Sequence, residues 1–148
     1  MELDRVGIEM IKKVKSPASC ELPFIENRYN LIYLQKGKIT VSINGLKFSL
    51  TENEIFFIVP EDTIQSIKSE RGTISFHLSF MLTDNFLNML PNEIIRLKES
   101  MDNLVIRHSH GNSDMLSLLE SAAYMNQYND ELGYSHIVSS LCMFFIKL

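Results

Sequence analysis

The stretch ITVSINGLKFSL (residues 39–50) alternates apolar and polar side chains on either side of Asn44-Gly45. A type I′ turn needs positive φ at both central residues, and Asn-Gly adopts it more readily than other pairs. A two-residue loop then fixes the register, setting Ile43 opposite Leu46, Val41 opposite Phe48 and Ile39 opposite Leu50. Apolar side chains meet on one face, while Thr40, Ser42, Lys47 and Ser49 share the other. A slip of one position would turn the apolar set outward, so the pairing is strongly specified.

Working outward, YNLIYLQ (29–35) reaches this hairpin through Lys36-Gly37, and TENE (51–54) leads into IFFIVP (55–60). The latter is apolar at successive positions, the pattern of a strand covered on both faces. TIQSIK (63–68) and TISFHLSF (73–80) follow, separated by the turn SERG (69–72). Five or six short strands joined by tight turns predict an antiparallel barrel or double-sheet jelly roll over about residues 28–82.

Residues 84–148 change to helical spacing. DNFLNMLPNEIIRLKES (84–100) is broken by Pro91 into two expected short helices, NLVIRH (103–108) reads as a late strand and SHGNS as a solvated loop. Ser113 is the expected N-cap of a helix over 114–128, and Ser135 of a last helix over 136–148. In that helix Ile137, Leu141, Phe144 and Leu148 form one apolar line, with Val138, Cys142 and Phe145 beside it. The stripe is too wide for one neighbour. It still runs at Leu148, as in the front part of a longer protein. The expectation is one α+β domain over 1–148, an antiparallel barrel followed by C-terminal helices.

The 148 residues carry a net charge of -4, with 45% hydrophobic and 22% charged residues. No basic stripe of the kind that binds nucleic acid is present. Cys20 and Cys142 are far apart, as in a reducing compartment. MELDRVGIEMIKKVK (1–15) has no apolar core of signal-peptide length, and no window approaches 18 apolar residues. A cytoplasmic protein that spans no membrane is expected.

The run YNLIYLQKGKITVSINGLKFSLTENEIFFIVPEDTIQSI, followed by ISFHLSF, resembles the N-terminal cupin-type domain of AraC-family transcription regulators. Gly37, Asn44-Gly45, Asn53-Glu54, FFIVP and EDTIQ stand in the family's order. The resemblance covers about residues 28–148. It implies a cupin jelly roll that holds a small-molecule effector, and helices that pair two subunits and lead to a helix-turn-helix DNA-binding domain. This chain departs from the pattern at Ile64, Gln65 and Ser66, where relatives often carry His or aromatic residues. It has no helix-turn-helix, so contact with DNA is expected only through a domain outside it.

A barrel metal needs three or four converging ligands. His108 and His110 have alternate-strand spacing but are expected in the solvated loop, so no metal and no cofactor are expected. No GxSxG elbow or phosphate-cradling loop appears. The expected role is non-enzymatic; a small cupin enzyme acting on a sugar or organic acid is the alternative, and a protein-interaction scaffold a third. In TISFHLSF, Ser75, His77 and Ser79 share one face and Ile74, Phe76, Leu78 and Phe80 the other. By the resemblance, Ser75 and His77 point into the lumen; otherwise they form the wet face of an edge strand. Neutral His77 offers one donor and one acceptor, suited to a hydroxylated or carboxylated ligand. The resemblance adds Lys36 as a grip and Gln65 and Ser66 at the barrel mouth, while Tyr33 is a candidate to close the pocket, with packing in the core as its other reading. Ile137, Leu141, Phe144, Phe145 and Leu148 are the expected contacts of a homodimer, unless both apolar lines pack on the chain's own barrel.

Overall fold

The computed structural model describes residues 7–81, 83–84, 108–127 and 131–147. Within them the chain forms β1 (Ile8–Lys15), β2 (Cys20–Glu21), β3 (Tyr29–Lys36), β4 (Ile39–Ile43), β5 (Leu46–Leu50), β6 (Glu54–Ile58), β7 (Ile64–Ser69), β8 (Ile74–Phe80) and β9 (His108–His110). Two helices follow, α1 (Ser113–Met125) and α2 (Glu131–Lys147). The strands pair antiparallel in two sheets, ordered β1-β8-β3-β6-β9 and β2-β7-β4-β5. The chain crosses between the two sheets repeatedly, and among the described strands only β4 and β5 pair as sequence neighbours, an arrangement of the jelly-roll kind. The expected α+β fold, an antiparallel jelly roll with C-terminal helices, is the observed one.

The opening hairpin sets the register of the smaller sheet. Val41 pairs with Phe48 and Ile39 with Leu50 as read from the sequence, and Asn44 and Gly45 hold φ of 51° and 79°. Both are left-handed, as a type I′ turn requires. The central strands of the five-stranded sheet, β3, β6 and β8, are buried on both faces. Leu31 and Tyr33 of β3, Ile55 and Phe57 of β6, and Phe76, Leu78 and Phe80 of β8 face a cluster completed by Met115, Leu119, Ala122, Ile137, Leu141 and Phe144. Ile32, Leu34, Phe56 and Ile58 face the opposite way and meet Ile39, Val41, Ile43, Leu50, Ile64 and Ile67 of the second sheet. The continuous apolar run of β6 follows from this double burial.

Four expectations need correction. Strand structure begins at Ile8, not near residue 28; β1 is the edge of its sheet and exposes Lys12, Lys13 and Lys15. A bulge between Ile8 and Met10 also breaks its alternation. The histidines at 108 and 110 belong to a short strand paired with β6, not to a loop. The N-cap of α1 is Asn112, whose Oδ1 accepts from the Met115 N–H at 3.0 Å, rather than Ser113. The last helix starts at Glu131, so Ser135 lies inside it. The helices expected over 84–100, most of the strand over 103–108, and Leu148 lie outside the described residues. Among the described residues no helix is long and apolar enough to cross a membrane.

Candidate functional site

The site grows from the alternation in β8. Because Phe76, Leu78 and Phe80 turn toward the helices, Ser75, His77 and Ser79 turn between the two sheets. β8 is not an edge strand: β1 flanks it on one side and β3 on the other. Accordingly Ser75 and Ser79 are 0% exposed and His77 2%, which removes the wet-edge alternative. On the same face, Lys12 and Ile32 stand opposite His77, Val14 and Leu34 opposite Ser75, and Met10 and Asn30 opposite Ser79.

These three polar side chains form a buried stripe along β8, beside the apolar cluster that fills the space between the sheets. Ser79 donates to Asn30 Oδ1, and the Asn30 amide also donates to the Ile25 carbonyl at 2.8 Å and accepts from the Ile25 N–H at 3.1 Å. Asn30 is thereby occupied. Ser75 Oγ lies 2.7 Å from His77 Nε2, while His77 Nδ1 is buried with no partner among the described residues. Burial pushes the imidazole pKa down from 6.5 to about 4, so the ring is neutral near pH 7. A buried polar atom left without a partner carries a penalty of about 1–3 kcal/mol. Such an atom calls for a functional explanation. It is positioned to donate to, or accept from, a hydroxyl or carboxyl group brought into the interior.

The other expected ligand residues do not join the stripe. Lys36 is exposed at the end of β3, opposite Ile74. Gln65 is exposed and accepts weakly from the Gly45 N–H at 3.4 Å, and Ser66 pairs with Ser42 on the outer polar face. The register shift between Ser42 and Ile43 turns Gln65 outward, whereas Ser66 points outward by ordinary alternation with Ile67. Tyr33 is 0% exposed but faces the helices: its hydroxyl donates to the Asn112 carbonyl at 3.2 Å. Its ring leaves no room at Gly111, where a Cβ would come within 2.3 Å of it. Tyr33 thus ties β3 to the start of α1 instead of closing the pocket. Asn30, hydrogen-bonded to Ser79 of the stripe, is an interior polar residue that sequence reasoning missed. Its signal was a lone amide at the head of an apolar strand, in the same alternation as Ile32 and Leu34.

The expected dimer contacts also need correction. Ile137, Leu141 and Phe144 are 0–1% exposed within the protein's own core, because that line of α2 packs against the five-stranded sheet and α1. The side chain of Phe145 lies outside the described set, as does Leu148. On the remaining surface of α2, Val138 and Cys142 are half-buried and Met143 is exposed. Both cysteines are free thiols. Among the described residues no group of three or more His, Cys, Asp or Glu side chains is arranged to hold a metal ion.

No protein-family model and no curated protein matches this sequence. Solved structures do match. A single-substitution variant of ToxT from Vibrio cholerae, in its apo form, aligns over 93% of this chain and 54% of its own, with 12% identity and a TM-score of 0.54. Wild-type ToxT with a bound unsaturated fatty acid aligns over 93% of this chain and 52% of its own, at 15% identity and a TM-score of 0.49. An RmlC-like cupin from Shewanella frigidimarina aligns over 55% of this chain and 73% of its own, at 18% identity and a TM-score of 0.42. This chain therefore spans about half the length of ToxT, and at 12% identity the first likeness is one of fold.

Proposed function

We propose that this chain is the effector-sensing domain of an AraC-like transcription regulator, acting on an attached helix-turn-helix DNA-binding domain and not as an enzyme. The observation that carries the reading is the Nδ1 of His77, buried between the sheets and without a partner among the described residues. The fold shared with ToxT, an AraC-family regulator, over nearly the whole of this chain supports it. The effector is a small molecule with a largely apolar body and one hydroxyl or carboxyl group that meets His77.

Transmission follows from the two-faced strands. On β8, Ser75 and His77 alternate with Phe76 and Leu78, which support α1 and α2. On β3, Ile32 and Leu34 alternate with Tyr33, which holds the Asn112 carbonyl beside the first turn of α1. An effector that shifts these strands shifts the helices with them. It biases the domain only by binding the two arrangements with different affinity. The subunits pair through the remaining surface of α2, around Val138, Cys142 and Met143, in a twofold contact.

A thermal-shift panel of hydroxylated and carboxylated small molecules, run on the wild type and on His77→Leu, tests the sensing role. The reading predicts at least one compound that stabilises the wild type and loses most of that effect in the variant. A stabilising compound indifferent to His77→Leu would refute the assignment of the site.

A further inference from the structure

On one side of the sandwich the two sheets end in β1 and in β2. β2 is only two residues long. Its pairing with β7 is prolonged by a single bond, from the Leu22 N–H to the Ile67 carbonyl at 2.8 Å. The chain then leaves the sheet at Pro23, which has no N–H to continue the ladder. Residues 22–28 run as a strap from this edge of the smaller sheet to β3, with Arg28 paired to Glu9 of β1. Leu22 is buried and Phe24 half-buried against the interior apolar cluster.

At its far end the strap is held by side chains. Besides its two bonds to Ile25, the Asn30 amide donates to the Arg28 carbonyl at 3.2 Å. Arg28 Nε lies 2.7 Å from Glu9 Oε1 on β1, in a pair whose side chains are 30% and 29% exposed. Lys12, the register neighbour of His77 on the same strand, is exposed. Solvent therefore comes within one strand of His77 on this side of the molecule. A segment with so few backbone hydrogen bonds belongs to the low-stability end of a fold and opens without global unfolding.

We propose that Leu22–Arg28 is a hinged strap that swings away from β1 to admit a small molecule to His77, with the Arg28–Glu9 ion pair as its latch. The inference rests on the reading of the interior as an effector chamber, but its test needs no effector. Leu22 and the Ile67 bond form the hinge end; Phe24 is the plug that opening withdraws from the interior; Asn30 resets the strap through three bonds to its backbone. Asn30 also accepts from Ser79, so the strap and the polar stripe share one amide.

The test is the rate at which diethyl pyrocarbonate, which carbethoxylates neutral imidazole, modifies His77 in the folded protein, read by peptide mass spectrometry. His110 and His136 are exposed and serve as internal controls. Arg28→Ala and Glu9→Ala should each speed modification of His77 about 2- to 5-fold, the scale of an exposed ion pair. The controls should keep their rates, and the double variant should match either single one. In wild-type protein the His77 rate should depend far more weakly on low urea than the global unfolding constant does. A His77 rate indifferent to both latch variants, or one that follows urea as steeply as global unfolding, overturns the strap. A chamber that takes no effector leaves these rates unchanged, so the two proposals fail separately.

Discussion

Acid should weaken this fold through one residue, His77. In the native state burial lowers its pKa from 6.5 to about 4. The unfolded chain therefore binds a proton that the folded protein refuses throughout the window between those values. Stability falls as pH drops below about 6.5 and the loss is complete just below pH 4. At about 1.4 kcal/mol per pH unit the full loss is about 3 kcal/mol, and about 2 kcal/mol is already gone at pH 5. Carboxylates titrate in the same range, so the quantity to measure is a difference. Urea unfolding of the wild type and of His77→Gln, which keeps a polar side chain but cannot take up a proton, should be compared at pH 7, 6, 5 and 4.5. The stability of the wild type relative to the variant should fall by about 2 kcal/mol from pH 7 to 5. A relative stability that stays flat over that range would mean that His77 titrates normally and that the interior is wet.

Five further substitutions have outcomes set by the packing. Gly45 has positive φ and open space around it, so Gly45→Ala should cost only the left-handed penalty, about 1–2 kcal/mol in urea unfolding. At Gly37 a Cβ would fall 2.7 Å from the Thr73 Cα, so Gly37→Ala should cost distinctly more. Tyr33→Phe removes the hydroxyl that reaches the Asn112 carbonyl and should cost about 1 kcal/mol. Hydrogen exchange should then quicken in the first turn of α1 more than in β4 or β5. Phe144→Ala should destabilise the protein by about 3–5 kcal/mol as a core truncation. Met143→Glu should leave stability within about 0.5 kcal/mol but weaken self-association, read by light scattering.

Much of the architecture was legible because local rules and tertiary demands agree. Asn44-Gly45 fixes a turn, the turn fixes a register, and the register puts every apolar residue of the hairpin on one side. The parity of β8 was equally readable, and it assigned Phe76 to one layer and His77 to the other. What failed was decided by irregularities that alternation cannot carry. The bulge at Ile8–Met10 hid β1, and the shift between Ser42 and Ile43 turned Gln65 outward. Tyr33 has the parity of Leu31, not of Ile32, so its ring belongs with the helices. Which line of α2 meets the sheet is set by how α2 lies on α1 and the sheet, a long-range matter that spacing alone leaves open. The stripe itself needed the pairing of β8 with β1 and β3 to be seen as buried rather than wet.

The most direct test of the account is the state of the His77 ring, read by 15N nuclear magnetic resonance of imidazole-labelled protein before and after addition of the compound that stabilises it most. The account predicts a neutral imidazole from pH 8 down to about 5. It also predicts an Nδ1 signal that shifts on binding while those of His110 and His136 stay put. An imidazolium at neutral pH, or an Nδ1 untouched by a compound that clearly stabilises the protein, would contradict it.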